Sequence, residues 1–449
     1  MQATAILLAA GQGTRMRSVL PKTLHKIAGR SMLRHLIASC ETVFDRIVIV
    51  LGPDMEEVAK EAAPHDCVIQ HEQRGTAHAA LQAAERFGIG EVAILYADNP
   101  LIRPETMRRL LGRRRAGDPG LALLAFRPDD PGRYGRVIVQ DGHVARIVEW
   151  VDATEAERAI DLCNAGVLCA GAEDMARWLK AVRTDNTKGE YYLTDVVALA
   201  RAERVRVAVV EAPAEELAGV NSRAELAAAE AVVQNWLRNA AMEAGVTMID
   251  PSSVFLRADT EFEPDVTLEP NVVFGDRVKV ARGAFIRAFS HLDDCVVGPD
   301  CIVGPHARLR PGAVLERGVH VGNFVEVKAS TLGEGVKANH LTYLGDASVG
   351  AGTNIGAGTI TCNYDGFDKH RTTIGARAFI GSDVALVAPV TVGDGAIIGA
   401  GSVITGNVEP DSLALARGKQ VGKPNWAREF RAGKAHPAQL RGAKPRSSD

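Results

Sequence analysis

Aromatic side chains are scarce in this chain: Phe, Trp and Tyr together make up 5% of 449 residues. That scarcity disfavours a sandwich core packed on aromatics. With 44 glycines beside it, the composition favours a fold with many tight, repeated turns. Missing too is any unbroken apolar run of about 18 residues, the length a membrane-spanning helix needs. No cationic stretch leads into an apolar one at the start, where the segment from Thr4 to Ala10 is too short for a secretory leader. These absences predict a soluble, cytoplasmic protein with no membrane partner. Cysteine is sparse and unpatterned. Cys40, Cys67, Cys163, Cys169, Cys295, Cys301 and Cys362 form no CxxC and no Cys/His metal spacing, so they read as reduced thiols, mostly buried. A net charge of -3 argues against a nucleic-acid partner. The charge is uneven, however. Beyond Arg417 come Lys419, Lys423, Arg428, Arg431, Lys434, Arg441, Lys444 and Arg446, which read either as a solvated tail or, in their first part, as help in holding an anionic cofactor.

Apolar residues make up 46% of the chain, enough for a sizeable core, and the length predicts two or three domains. Two halves obey different grammars. Up to about residue 220, Ala5-Leu8, Ile47-Leu51, Val68-Gln70 and Val92-Tyr96 read as buried strands. Leu33-Ser39, Met55-Ala63 and Ala77-Arg86 read as the helices between them. Such alternation predicts a mostly parallel sheet covered by helices on both faces. Residues 223–243 form an Ala-rich run with Leu226, Val233, Trp236, Leu237 and Ala240 on one stripe, a linker helix.

From about residue 250 a six-residue beat takes over. One series runs Leu268, Phe274, Val280, Ile286, Leu292; a second Val297, Val303, Leu309, Leu315, Val321, Val327; a third Ile374, Ile380, Leu386, Val392, Ile398, Ile404. A small or β-branched residue sits two positions before each beat, as at Cys301, Ala307 and Ala313. Stacking one aliphatic per step is the signature of a parallel β-helix. The beat breaks between Val327 and Val349 and between Thr361 and Ile374, where loops are expected to leave the solenoid and carry function. The predicted domains are therefore residues 1–222, the linker 223–243, and the β-helix with its basic tail, 244–449.

Ligands of open α/β sheets gather at the carboxyl ends of strands, and the first strand ends at Ala9-Ala10-Gly11. The loop there has Gly11 and Gly13, yet lacks the third glycine of a dinucleotide fingerprint and the Gly-Lys-Ser/Thr ending of a P-loop. Arg15 and Lys22 beside it suit a triphosphate. Asp98 follows the Val92-Tyr96 strand, as a site carboxylate would. In the second half, His340 falls in the first break of the beat. Arg310 and Lys328 are eighteen residues apart, so they should stack along one face, an arrangement that suits a sugar phosphate.

The opening Leu8-Ala9-Ala10-Gly11-Gln12-Gly13-Thr14-Arg15-Met16 with Pro21-Lys22 resembles the sugar-nucleotidyltransferase signature. It is joined to a hexapeptide β-helix containing Asn339-His340-Leu341-Thr342-Tyr343-Leu344-Gly345-Asp346 and Asn363-Tyr364-Asp365-Gly366. As far as about residue 425 the chain thus resembles the bacterial bifunctional N-acetylglucosamine-1-phosphate uridylyltransferase/glucosamine-1-phosphate N-acetyltransferase family. The resemblance implies a Rossmann-like α/β nucleotidyltransferase domain followed by a left-handed parallel β-helix. It implies acetyl transfer from acetyl-CoA to glucosamine-1-phosphate, then uridylyl transfer from UTP with release of pyrophosphate. Arg15 and Lys22 become catalytic cations, and Asp98 with Asn221 the holders of Mg²⁺. Leu8, Gly11, Gln70, Gly75 and Thr76 would surround the uracil and ribose; Gly135, Glu149, Asn164 and Asn221 would face the N-acetylglucosamine portion, with Tyr96 also among the residues binding the nucleotide sugar. His340 becomes the general base and Glu326 the carboxylate that orients or polarises it. Arg310, Lys328, Tyr343 and Asn354 would bind glucosamine-1-phosphate. Ala357, Asn363, Tyr364, Ser382, Ala400 and Arg417 would surround acetyl-CoA, with Lys369 reaching a neighbouring subunit of a homotrimer. Two departures stand out: Ala97 where the family usually has Gly, and Trp150-Val151 where polar residues are common.

Two narrower readings compete. A single-activity nucleotidyltransferase whose β-helix only trimerises has no need of His340, Glu326, Asn363 and Tyr364. An acetyltransferase with a dead front module has no need of Arg15, Lys22, Asp98 and Asn221.

Overall fold

Alternate residues of a strand point to opposite sides of a sheet, and the first strand, Ala3–Leu8, uses both sides. Ala5 and Leu7 pack with Leu33, Leu36 and Ile37 of the helix Met32–Glu41 and with Met107 of the helix Pro104–Arg115. Ile6 packs on the other face with Ala77 and Ala80 of the helix Thr76–Gln82 and with Met175 and Trp178 of the helix Ala172–Ala181. A strand buried on both faces reads as a continuous apolar run, which is why this one was visible in the sequence.

The sheet orders its strands Arg206–Glu211, Pro119–Phe126, Cys163–Gly171, Glu91–Tyr96, Ala3–Leu8, Arg46–Leu51 and Asp66–Ile69. All neighbours are parallel except Cys163–Gly171, which runs against both of its own. A hairpin of Arg136–Gln140 and His143–Val148 joins the Cys163 end of that strand. The structure is a computed structural model and describes residues 2–11, 13–116 and 119–434. Gln12 of the opening motif and the tail cations Arg441, Lys444 and Arg446 lie outside the described residues.

The helix Arg223–Glu243 starts at Ser222, whose Oγ accepts from Glu225 N at 3.3 Å. Val233 is buried, and Leu226, Trp236 and Leu237 pack against Ile27, Met32 and Leu101. Ala240, expected on that stripe, is exposed. Gln234 and Arg238 are buried instead. Gln234 Nε2 donates to Leu256 O at 2.7 Å and Arg238 Nε to Val254 O at 2.8 Å, and bonding of this kind is what makes buried polar groups tolerable.

The chain forms two compact units, Met1–Asp300 and Cys301–Asp449. In the second, short strands stack in three parallel ladders. Arg308–Leu309, Glu326–Lys328, Tyr343–Gly345 and Ile360–Cys362 belong to one; Ile302–Val303, His320–Asn323, Lys337–His340 and Asn354–Ile355 to another. Each six-residue step therefore turns to the next ladder, and Leu309, Leu315, Val321 and Val327 all point inward, fully or almost fully buried. The first break in the beat is no loop. Lys337–His340 is a regular strand, and the coil has lost one residue, so His340 pairs with Asn323, seventeen positions earlier. The second break is an excursion: Cys362 pairs with Val387, and residues 363–370 leave the solenoid, pinched by a bridge between Tyr364 and Lys369.

Candidate active sites

Leu8 lies opposite Tyr96, and Ala97 N donates to Leu8 O at 3.1 Å, so two central strands end together. Beyond their carboxyl ends opens a cavity of about 300 Å³ that includes Leu8, Gly11, Lys22, Gln70, Gly75 and Asp98 in its walls. Arg15 lies in the 3₁₀ turn Thr14–Met16 and Lys22 in the turn Lys22–Leu24. At Gly13, φ is +62° and an added Cβ would stand 2.5 Å from Lys22 Cβ. Only glycine lets the Lys22 stem lie against the loop.

Lys22 Nζ bonds Asp98 Oδ2 at 2.6 Å and Asn221 Oδ1 at 3.0 Å, and Arg15 Nη2 donates to the same Asn221 oxygen at 2.9 Å. Two oxygens from residues far apart in the sequence thus converge on one cation. Asn221 is held there by its own segment: Val220 N donates to Asp98 O at 2.8 Å, Asn99 Nδ2 to Leu217 O at 2.7 Å, and Gly219 N to the Tyr134 hydroxyl at 3.2 Å. Among the described residues no group of three or more His, Cys, Asp or Glu side chains suits a metal. A two-oxygen donor set suits a hard divalent ion that keeps several waters.

On the nucleoside side, buried Gln70 donates from Nε2 to Gly75 O at 3.2 Å. Gly75 has φ +119°, and a Cβ there would stand 2.5 Å from Tyr191 O. Thr76 Oγ1 accepts from Leu193 N at 2.9 Å and is hydrogen-bonded to Tyr96, whose phenol is pushed up chiefly by burial, with the Glu149 charge adding to it. On the sugar side, Asn164 N donates to Gly135 O at 2.8 Å, and the Glu149 carboxylate is 3.6 Å from where a Gly135 Cβ would be. Burial raises the pKa of Glu149, against the pull of the Thr194 hydroxyl that donates to it at 3.2 Å. All the residues expected in this half are therefore grouped around the ends of the same strands. Of the two departures, Ala97 is fully buried in the core, and Trp150 is covered by the guanidiniums of Arg158 and Arg133, at 4.3 and 5.3 Å from its ring centre. Glu190 and Gln73 also line the cavity. They come from loops that the sequence alone did not mark.

In the second unit, Arg310 and Lys328 are neighbours on adjacent coils, one past the paired Leu309 and Val327. Arg310 Nη1 bonds Glu326 Oε1 at 2.8 Å, and Lys328 Nζ bonds Asp346 Oδ2 at 3.2 Å. Asn363 also donates to Asp346. A Cβ on Gly345 would overlap the Tyr343 hydroxyl and the Asn363 amide, so these groups share one face. Lys369 stands beside Lys328 of its own chain, and that second ammonium lowers its pKa.

His340 is exposed at the end of its strand, and its Nδ1 is 2.8 Å from Asn323 Oδ1. The expectation that Glu326 orients it does not hold in this geometry. Glu326 pairs across the ladder with Tyr343 and turns its carboxylate to Arg310 and Arg308. The contracted coil places Asn323, not Glu326, beneath the imidazole. Asn354 stands one coil further, opposite Lys337 of the strand that ends at His340. Ala357, Ser382, Ala400 and Arg417 climb one corner. Ala357 O accepts from Asp383 N at 2.7 Å, Ser382 O from Gly401 N at 2.8 Å, and Ala400 O from Arg417 Nη1 at 2.7 Å. Tyr364 is exposed on the excursion next to Asn363.

Residues 5–185 match the MobA-like NTP transferase domain, and residues 371–406 match the bacterial transferase hexapeptide repeat. A protein described as bifunctional protein GlmU from Gluconacetobacter diazotrophicus is 63% identical over 425 residues, covering 94% of this chain and 92% of the relative. Relatives of the same description from Acidiphilium cryptum and Granulibacter bethesdensis are also 63% identical. They cover 96% and 95% of this chain and 99% and 96% of their own length.

Proposed function

The chain belongs to the bifunctional GlmU family, and from that premise we propose how its two centres divide the chemistry. The nucleotidyltransferase domain performs uridylyl transfer and the hexapeptide domain acetyl transfer. One observation carries the residue-level reading. A cation-rich pocket built on Lys22, Arg15, Asp98 and Asn221 and a His340–Asn323 pair stand on separate parts of one chain. Neither is needed by a protein with the other activity alone.

In uridylyl transfer an oxygen of N-acetylglucosamine-1-phosphate forms a bond to the α-phosphorus of UTP while the bond to pyrophosphate breaks. The nucleophile is already anionic and needs no base. The residues have to bring two polyanions together and neutralise the leaving group. Arg15 and Lys22 carry that charge. Gln70, Gly75 and Thr76 seat the nucleoside near Leu8, Gly11 and Tyr96, and Gly135, Glu149 and Asn164 seat the sugar. A divalent ion, which we take to be Mg²⁺ held by Asp98 and Asn221, supplies further neutralisation of phosphate charge when bound.

In acetyl transfer the amine nitrogen of glucosamine-1-phosphate bonds to the thioester carbonyl carbon, the carbon–sulfur bond breaks, and coenzyme A leaves as its thiol. His340 takes the amine proton on Nε2 and returns it to the departing sulfur. Arg310, Lys328 and Tyr343 hold the sugar phosphate, with Asn354 one coil away. The corner column of Ala357, Ser382, Ala400 and Arg417, with Asn363, Tyr364 and Lys369, lies along the acetyl-CoA path. The limits proposed for the parts are residues 1–222, 223–243 and 244–449. The working assembly is a cytoplasmic homotrimer formed through left-handed β-helices. No helix among the described residues is long and apolar enough to cross a membrane.

A coupled assay tests the whole reading: glucosamine-1-phosphate, acetyl-CoA, UTP and Mg²⁺ supplied, UDP-N-acetylglucosamine measured. Formation of N-acetylglucosamine-1-phosphate without the nucleotide product, or no acetylation at all, overturns it.

A further inference from the structure

Arg15 and Lys22 sit on two three-residue turns, Thr14–Met16 and Lys22–Leu24, and neither turn is part of a longer element. Turns that short cannot hold long cationic side chains in place unaided. One guanidinium ties both to the segment that bears Asn221. Arg223 is the first residue of the helix Arg223–Glu243. Its Nε donates at 3.3 Å to the carbonyl of Met16, the last residue of the Arg15 turn. Its Nη1 stands 3.2 Å from Nδ1 of His25, the residue that caps the Lys22 turn.

The anchor is itself fixed. Ser222 caps the helix by accepting from Glu225 N at 3.3 Å, and Glu225 Oε2 accepts from Asn221 N at 2.7 Å. His25 is 6% exposed, and its pKa is lowered first by burial and then by the Arg223 charge, while the Leu20 backbone pulls the other way. A guanidinium only donates, so Nδ1 is the acceptor in this pair. The planar fork of arginine reaches two acceptors on different turns, where a lysine offers one point.

We propose that Arg223, with His25 as its acceptor, is a positioning residue of uridylyl transfer that holds the Arg15 and Lys22 turns against the Asn221 segment. It acts through those two cations and touches no substrate. The inference rests on the reading above in which Arg15 and Lys22 meet the triphosphate, and the test separates the two.

Arg223→Met keeps the length and removes the donors, and His25→Leu removes the acceptor. Each should lower kcat/KM for uridylyl transfer by about tenfold or more, since misplacement of groups that orient a reaction is costly. Calorimetric titration with UTP alone should show weaker binding in both. His25→Gln, which restores an acceptor, should recover part of the loss, and Arg223→Lys should recover little. The decisive measurement is coupling. In an Arg15→Ala/Lys22→Ala background, adding Arg223→Met should cost about twofold or less, because the groups it positions are gone. A full additional loss in that background marks general damage to the fold and overturns the proposal, as does an Arg223→Met enzyme within about twofold of wild type. Should Arg223→Met unfold, the His25→Leu and His25→Gln pair decides the matter by the same comparison. If the Arg15→Ala/Lys22→Ala enzyme itself keeps full activity, the reading of the cation pair fails, and the clamp fails with it.

Discussion

Asn323 Oδ1 and His340 Nδ1 stand 2.8 Å apart on paired positions of neighbouring coils. An amide oxygen only accepts, so the imidazole carries its proton on Nδ1 and presents a bare Nε2 to whatever lies beyond it. That is the tautomer a general base needs. Asn323→Ala should therefore slow acetyl transfer by about tenfold or more, yet by less than the roughly 10²–10⁴ that loss of a base removes in His340→Ala. Asn323→Asp offers a sharper check. A carboxylate there would raise the His340 pKa, so the acidic limb of the rate profile should move to higher pH. An unmoved limb would mean that residue 323 does not govern the base.

The two chemistries should be separable. His340→Ala should depress acetylation by that same 10²–10⁴ and leave uridylylation of supplied N-acetylglucosamine-1-phosphate near wild type. Asp98→Ala should do the reverse. Measuring both half-reactions in both variants checks this, and loss of both in either variant would count against independent centres.

Chelation should act on one activity only. EDTA should stop uridylyl transfer, where phosphate charge has to be neutralised, and spare acetyl transfer, where no phosphorus–oxygen bond breaks. Half-reaction rates at increasing EDTA give the answer directly, and equal inhibition of both would point to a metal in the second centre.

Gly75→Ala should damage the nucleotide site alone. The new methyl would meet Tyr191 O at 2.5 Å, and the backbone there, at φ +119°, is one that alanine avoids. Uridylyl transfer should fall with a raised KM for UTP while acetyl transfer holds, as parallel kinetics on the two half-reactions will show.

How far these sites could be read from the chain follows from how local their signals are. The doubly buried strand Ala3–Leu8 and the inward series Leu309 to Val327 declare themselves through periodicity, because burial acts residue by residue along them. Asp98 was legible as a polar residue at a strand's end. Asn323 was not, because its role depends on a coil that is one residue short, and a missing residue in a repeat looks like the onset of a loop. Glu326 was paired with His340 by the family resemblance alone, whereas ladder register decides which side chain lies beneath the ring, and the beat leaves register open by one. Gln234 and Arg238 escaped notice as buried residues because their partners are backbone carbonyls of Leu256 and Val254, which no side-chain pattern reveals.

The excursion at residues 363–370 has an acid-sensitive fastening. Asp365 accepts from the backbone N–H groups of Asp368 and Phe367, at 2.8 and 2.9 Å, and from the His370 ring at 2.7 Å. These bonds, the Asp368 amide first, hold its carboxyl far below the ordinary 3.8. A carboxylate with a lowered folded pKa lends its support above the ordinary value and loses it as pH falls through the folded one. The segment should therefore stay protected from proteolysis and amide exchange at neutral and mildly acidic pH, and open only under strong acid. Asp365→Asn should remove the protection at every pH, and a segment already exchanging freely at pH 7 would contradict the assignment.

The same excursion separates length from phase in the solenoid. The coils before it return after seventeen or eighteen residues and the last pairing after sixteen, each keeping its aliphatics inward, so length there varies by only a residue or two. Between Cys362 and Thr372 the strands on either side are already aligned across the gap, with Cys362 against Val387 and Ile374 against Val392. Chain added at the tip of that gap changes no downstream face. A peptide tag placed there, or a drift in length over evolutionary time, would leave the clockwork of the helix in step.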